Sequence, residues 1–303
     1  MLDPKGFGAR RIEGLWWLMF WISVAVFVIV VALLVIACLK ARSSQAQPTE
    51  ARWGNPFVVV AGIVVPSLIL AAVFVVSLND MMALSEPPSE AAMTIDIIGH
   101  DWWWEARYED GGVTANEIHI PVGEPVQLKL ETDDVIHSFW VPQLQAKTDL
   151  ISGHTNTMWL EADEPGRYRG QCAEFCGLQH ANMLFYVIAD DPEEFESWLA
   201  NEAAPAPEPA ESTAARGQRV FLQSSCAGCH AIRGTAADGD LGPDLTHLAS
   251  RDTIAAGVLD NTRSELAQWI IDPQSVKPGA VMPPTEFTSD ELDALLDYLE
   301  GLD

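Results

Sequence analysis

Two long apolar runs near the start of the chain constrain it more than any other feature. Leu15 to Leu39 contains Ser23 as its one conventional polar residue, and Pro56 to Leu78 carries no charge. As helices rising about 1.5 Å per residue, the runs reach roughly 34 to 38 Å, enough to cross a hydrocarbon core of about 30 Å with some tilt. A helix buried in a globular core rarely stays uncharged on every face for that length. Trp16, Trp17 and Trp21 near one end of the first run, and Trp53 before the second, suit the membrane interface. The expectation is a two-helix transmembrane hairpin, about 15–39 and 56–78, within an N-terminal region spanning 1–90. Lys5, Arg10 and Arg11 on one side and Lys40, Arg42 and Arg52 on the other leave its orientation undecided. A signal peptide is the alternative, with Val35-Ile36-Ala37-Cys38 loosely like a lipoprotein cleavage box, but the run is long for one.

Beyond the hairpin the chain is acidic. Of a net charge of −26 over 303 residues, residues 56–303 hold 11 Lys+Arg against 40 Asp+Glu. That balance argues against nucleic-acid binding and fits a basic protein partner or a saline medium, with solubility alone as the plain alternative.

From Ala92 to Asp190 the pattern has period two, clearest in Val126 to Glu131 and Thr157 to Ala162, with turn signals at Gly111-Gly112, Pro121 to Pro125 and Glu164-Pro165-Gly166. An all-β sandwich or barrel is expected over 91–201. Asp191-Pro192-Glu193-Glu194 starts a closing helix, with Asp191 as its cap. The proline-punctuated stretch 202–211 reads as a flexible linker, about which the last region would dock through mainly apolar contact. In 212–303 helices are expected from Ala214 to Ser225, after Thr262, and after the Thr288–Glu291 capping pattern.

Two clusters carry chemistry. In Gly170-Gln171-Cys172-Ala173-Glu174-Phe175-Cys176-Gly177-Leu178-Gln179-His180-Ala181-Asn182-Met183, two thiols, an imidazole and a thioether fall within twelve residues, and His137 lies upstream. Soft sulfur with imidazole suits copper. A Cys172–Cys176 disulfide or a zinc site is the alternative, although a disulfide would not explain His180 and Met183. Cys226-Ala227-Gly228-Cys229-His230 is a C-x-x-C-H heme c attachment pattern, with His230 as proximal ligand. A thioredoxin-like dithiol would need a βαβ context that is missing. Met282, the only methionine after Met183, is the candidate sixth ligand.

The first cluster, together with Val135 to Pro142 and the aromatic segment Gly99 to Trp104, resembles cytochrome c oxidase subunit II across 15–200; the tail from about Ser212 resembles a class I cytochrome c. The resemblance implies a cupredoxin-like sandwich holding a dinuclear copper center, CuA. Cys172 and Cys176 would bridge its metals, with His137 and His180 terminal, Met183 weakly axial and the Glu174 carbonyl on the other copper. It further implies a magnesium ion on the Glu174 side chain at the contact with subunit I, and Trp102 as an exposed residue through which electrons arrive. Gly217, Phe221 and Tyr298 match the helix crossing of cytochromes c, and Gly242-Pro243-Asp244-Leu245 the loop whose proline carbonyl orients the proximal His. His100 reads as structural, Trp103 and Trp104 as alternating between surface and core, and His247 as a surface or propionate contact. Two departures stand out. Val59 occupies the place of a glutamate that admits protons, and Ile151-Ser152-Gly153-His154 replaces the commoner Pro-Gly-Arg pattern.

The implied function is electron delivery in a respiratory heme-copper oxidase, from a soluble or membrane-bound cytochrome donor through heme c and CuA to subunit I, which reduces oxygen, with subunit III as a further partner. Heme c is attached outside the cytoplasm, which would place both metal domains in the periplasm of a bacterial plasma-membrane protein. The copper subunit of a nitric oxide reductase, or a membrane copper-binding protein, is the alternative.

Overall fold

The structure is a computed structural model describing residues 3–43, 54–86, 91–209 and 212–303; Arg52, Trp53, Ala210 and Glu211 lie outside the described residues. Helix α1 (Phe7–Ser43) and the pair α2 (Gly54–Val59) and α3 (Val65–Ser85), joined by a π-helical turn over Val60–Val64, form the hairpin. Pro66 has no N–H to offer Gly62, and the chain widens just ahead of it. Both spans, Phe7–Ala41 and Pro56–Ser85, leave their apolar windows uncovered by protein, as a lipid-facing helix does. Trp16 stacks on Phe20 and Trp17 on Trp21 at one end of α1, and Arg11 pairs with Asp80 at 3.2 Å across the hairpin.

The sandwich consists of β1 (Thr94–His100), β2 (Trp103–Tyr108), β3 (Val113–Ala115), β4 (Glu117–Pro121), β5 (Val126–Thr132), β6 (His137–Trp140), β7 (Thr148–Leu150), β8 (Asn156–Leu160), β9 (Gly166–Cys172) and β10 (Leu184–Asp190). The sheets run β3-β2-β1-β5-β8 and β4-β10-β9-β6-β7. Alternation along β5 and β10 turns Val126, Leu128, Leu130, Phe185, Val187 and Ala189 inward. Trp104, Phe139 and Phe185 meet in the middle, each fully buried, with centroids 4.3 to 5.6 Å apart. Burying a large apolar side chain of this kind contributes about 1.5–3 kcal/mol. Helix α4 (Pro192–Glu202) closes the domain, but the Asp191 side chain makes no capping bond.

The C-terminal domain is helical: α5 (Ser212–Gln223), a ribbon of β11 (Thr253–Ile254) and β12 (Leu259–Asp260), α6 (Arg263–Ile271), α7 (Pro273–Val276) and α8 (Ser289–Leu299). Thr262 caps α6, and the capping box expected at Thr288 and Glu291 forms on α8. Helix α5 crosses α8 where a Cβ on Gly217 would lie 1.9 Å from the Ala294 carbonyl oxygen, so only glycine permits the approach.

The segment after α4 is not the free tether its composition suggests. Ala206 N–H donates to the Arg233 carbonyl at 3.0 Å, the Ala204 carbonyl lies 3.1 Å from His247 Nε2, and Pro205 abuts Gly234. Low apolar content stops such a stretch folding alone, yet its backbone groups bond to a surface supplied by the next domain.

Candidate metal centers

Strand β6 presents His137 and its neighbor β9 presents Cys172, held in register by Phe139 opposite Cys172. The loop after β9 is pinned at both ends: Ala173 N–H donates to the Ser138 carbonyl at 2.9 Å and Cys172 N–H to the Met183 carbonyl at 3.0 Å. Within that frame Cys172 Sγ lies 3.8 Å from Cys176 Sγ, 3.9 Å from His137 Nδ1 and 3.1 Å from the Glu174 carbonyl oxygen. Cys176 Sγ lies 3.6 Å from His180 Nδ1 and 3.8 Å from Met183 Sδ. A sulfur separation of 3.8 Å is far beyond the roughly 2.05 Å of a disulfide, and both cysteines are free. His137 and Met183 are fully buried and both cysteines nearly so.

The electrostatics suit a cation. The Cys172 thiol is pushed down to about 3 by its contact with Cys176, with the bond from His137 adding to that, whereas Cys176 is pushed up by the same neighbor. Metal binding requires thiolates, and the contact between the two sulfurs favors one. Burial alone would lower His137; its bonds to Asp134 and Cys172 outweigh that and raise it to about 9. Asp134 Oδ1 lies 2.7 Å from His137 Nε2, which turns Nδ1 toward Cys172, an arrangement typical of metal-binding histidines. Gly99 leaves the space: a Cβ there would sit 2.9 Å from His137 Cδ2. Sequence reasoning missed Asp134, although an acid three residues before a ligand candidate was the available signal.

Glu174 points away from this cluster, exposed, with Lys147 Nζ at 3.7 Å. Trp102 is half-buried: its Nε1–H donates to the Cys176 carbonyl at 2.8 Å, and its own carbonyl accepts from Lys277 Nζ at 2.8 Å. Trp103 stacks on His100, which lies 3.1 Å from Glu105, and Trp104 is buried, as the alternation requires.

In the C-terminal domain a short 3-10 turn, Ser225–Gly228, follows α5 and holds Cys226 and Cys229 on the wall of a mostly apolar cavity. His230 N–H donates to the Cys226 carbonyl at 2.9 Å, and the His230 Nδ1 to Pro243 carbonyl distance is 2.8 Å, which directs Nε2 away from that loop. Burial lowers the His230 pKa. Met282, Phe221, Leu245 and Arg251 also line the cavity. Arg251 donates through Nη2 to the Asp244 carbonyl at 2.6 Å while its buried Nε has no partner. A cationic donor left unpaired beside an apolar cavity fits a flat apolar ring with carboxylate substituents. His247 is buried rather than on the surface, bonded toward the linker, because Ala204 covers it.

The family profile for the periplasmic domain of cytochrome c oxidase subunit II matches residues 112–189, and that for cytochrome c matches 214–303. A cytochrome c oxidase subunit 2 from Alkalihalophilus pseudofirmus is 39% identical over 311 residues, covering 99% of this chain and 90% of its own length. The chain belongs to the cytochrome c oxidase subunit 2 family. The subunit 2 of Bacillus subtilis is 32% identical over 270 residues, 82% of this chain and 75% of its own length. A crystal structure of the periplasmic domain of subunit II of cytochrome oxidase from Bradyrhizobium japonicum, 30% identical, covers 38% of this chain and 95% of its own, with a TM-score of 0.37. As a cytochrome c oxidase subunit 2 with a cytochrome c domain, the chain is a membrane-anchored heme-copper oxidase subunit: the sandwich implies copper, the C-terminal domain heme, and the family a subunit I partner.

Proposed function

We propose that this subunit takes electrons into its cytochrome c domain and relays them through a dinuclear copper center to subunit I, where oxygen is reduced. The observation that carries the reading is the convergence of two thiols, two imidazole Nδ1 atoms and a thioether, neighbor to neighbor at 3.6 to 3.9 Å, in a largely buried pocket. Cys172, Cys176, His137, His180 and Met183, with the Glu174 carbonyl, would hold the two coppers. Cys226 and Cys229 would hold heme c covalently, and His230 and Met282 would ligate its iron. When bound, these groups supply orbitals that gain and lose single electrons with little rearrangement. The chain's own residues keep that rearrangement small: sheet hydrogen bonds fix the copper loop, Asp134 orients His137, and the Pro243 carbonyl orients His230. The exposed Glu174 side chain would bind magnesium at the contact with subunit I. The setting is a bacterial plasma membrane with both metal domains in the periplasm, subunit III alongside and a cytochrome as donor.

Electron paramagnetic resonance of the purified, copper-loaded protein tests the reading: one unpaired electron shared over two copper nuclei is expected, and Cys176→Ser should abolish that signal. A single isolated copper or zinc alone would reject it.

A further inference from the structure

The face between the copper and cytochrome c domains is polar and buried. Glu117, on β4 and only 2% exposed, receives four donors on its carboxylate. Three come from the cytochrome c domain: Thr253 N–H at 3.0 Å, Thr253 Oγ1–H at 2.7 Å and Asp252 N–H at 3.0 Å. The fourth, Arg167 Nη2 at 2.9 Å, belongs to the copper domain and also reaches Asp252 Oδ2 at 3.4 Å through Nη1. A second point lies beside the copper loop. Lys277, 3% exposed, donates to the Trp102 carbonyl at 2.8 Å and to the Ala255 carbonyl at 3.3 Å, while Gln179 Nε2 donates to the Pro278 carbonyl at 2.7 Å. Between the two points Leu184 N–H donates to the Ala256 carbonyl at 3.2 Å. Buried charges with several directional partners cost much to mispair, and a face of this kind favors a single register over a set of loose encounters.

Trp102 belongs to that face through its carbonyl, which accepts from Lys277. It borders the cavity lined by Cys226, Cys229 and His230, and its indole N–H bonds to the carbonyl of Cys176. We propose that Glu117 and Lys277 are positioning residues that lock the cytochrome c domain onto the copper domain in one register, making Trp102 a fixed contact between the two centers. The proposal rests on the electron-relay reading above. The step it serves is a one-electron exchange in which the heme iron is oxidized and the copper pair reduced, with no bond made or broken and no proton moved.

The test uses the full-length, cofactor-loaded protein with Glu117→Ala, Glu117→Gln and Lys277→Met. Three readouts apply: amide hydrogen exchange at Asp252, Thr253 and Leu184; the heme-to-copper spin distance distribution from pulsed electron resonance; and the rate of copper reduction after photoreduction of the heme. Wild type is expected to show protected amides, one narrow distance and a rate independent of protein concentration. Glu117→Ala should raise exchange at Asp252 and Thr253 and slow transfer by about tenfold each, and broaden the distances, with both cofactor spectra unchanged. Glu117→Gln, which keeps an acceptor, should restore part of the loss, an effect not expected if bulk packing alone were at stake. Should Glu117→Ala not fold, Lys277→Met, on a different segment, carries the same expectation for Leu184 exchange and for the distances. A broad distance distribution with unprotected amides in wild type, or variants that leave all three readouts unchanged, would overturn the clasp. Exchange at Asp252 and Thr253 reads the clasp even in a heme-loaded chain without copper, whereas absence of the shared-electron copper signal would overturn the relay reading instead.

Discussion

The cysteine pocket of the sandwich and the cavity of the cytochrome c domain are built on opposite principles. In the sandwich, donor atoms from β6, β9 and the following loop already lie neighbor to neighbor, because strand pairing and loop hydrogen bonds place them without help from a metal. In the cytochrome c domain the candidate ligands His230 and Met282 instead line the same apolar cavity, among Phe221, Leu245 and Leu295. A small ion needs a frame of fixed donors; a large flat group becomes part of the core that it completes. The sandwich should therefore fold before it binds, whereas the helical domain should depend on its guest.

The largest expected effect would break that contrast if it failed. Cys226→Ala with Cys229→Ala should prevent heme attachment and cost the C-terminal domain more than about 5 kcal/mol, comparable with the whole stability of a small domain. Copper removal should leave the sandwich folded. Thermal unfolding followed by far-ultraviolet circular dichroism checks both, and equal losses would erase the distinction.

A smaller effect sharpens it on the copper side. Asp134→Asn removes the charge that holds His137, and metal affinity should fall about 10- to 100-fold with the fold unchanged, measured by competition with a copper chelator. An affinity within about twofold of wild type would show that strand geometry alone orients the imidazole.

An effect of similar size, confined to a pH range, lies at the junction. Burial raises the Glu202 carboxyl to about 7, with Arg251 and Arg233 pulling it down and Asp244 pushing it up. The folded protein then holds this proton more tightly than the unfolded chain, so stability falls as pH rises from about 4.5 to 7 and stays lowered above that. Glu202→Gln should relieve a penalty of about 1–3 kcal/mol at pH 8 and make little difference at pH 4, read from chemical denaturation at the two pH values. A pH-independent difference would mean that Glu202 is not proton-linked to folding.

The fold was legible in the sequence because its signals are local. Uncharged runs gave the hairpin, period-two alternation the sandwich, and capping residues the helices. Most candidate copper-site residues fall within Cys172 to Met183, and the structure gathers them with His137 into one pocket. What could not be read is the contact between domains. Glu117 looks like any strand residue and Lys277 like any loop lysine, yet their partners in the other domain lie 135 or 136 and 175 positions away. Nor could the contacts of the linker be read: Pro205 and Ala206 meet Gly234 and Arg233, a surface that exists only once the next domain has folded.

The loop around Pro278 and Gly279 has a consequence in time as well as in space. It belongs to the segment that carries Met282, and it also rests on the copper loop, where Gln179 bonds to Pro278 and Leu178 abuts Gly279. The cytochrome c domain therefore rests against the loop that carries Cys176 and His180. A metal entering past Gln179 and Leu178 should do so more easily before the tail packs against that loop than after it.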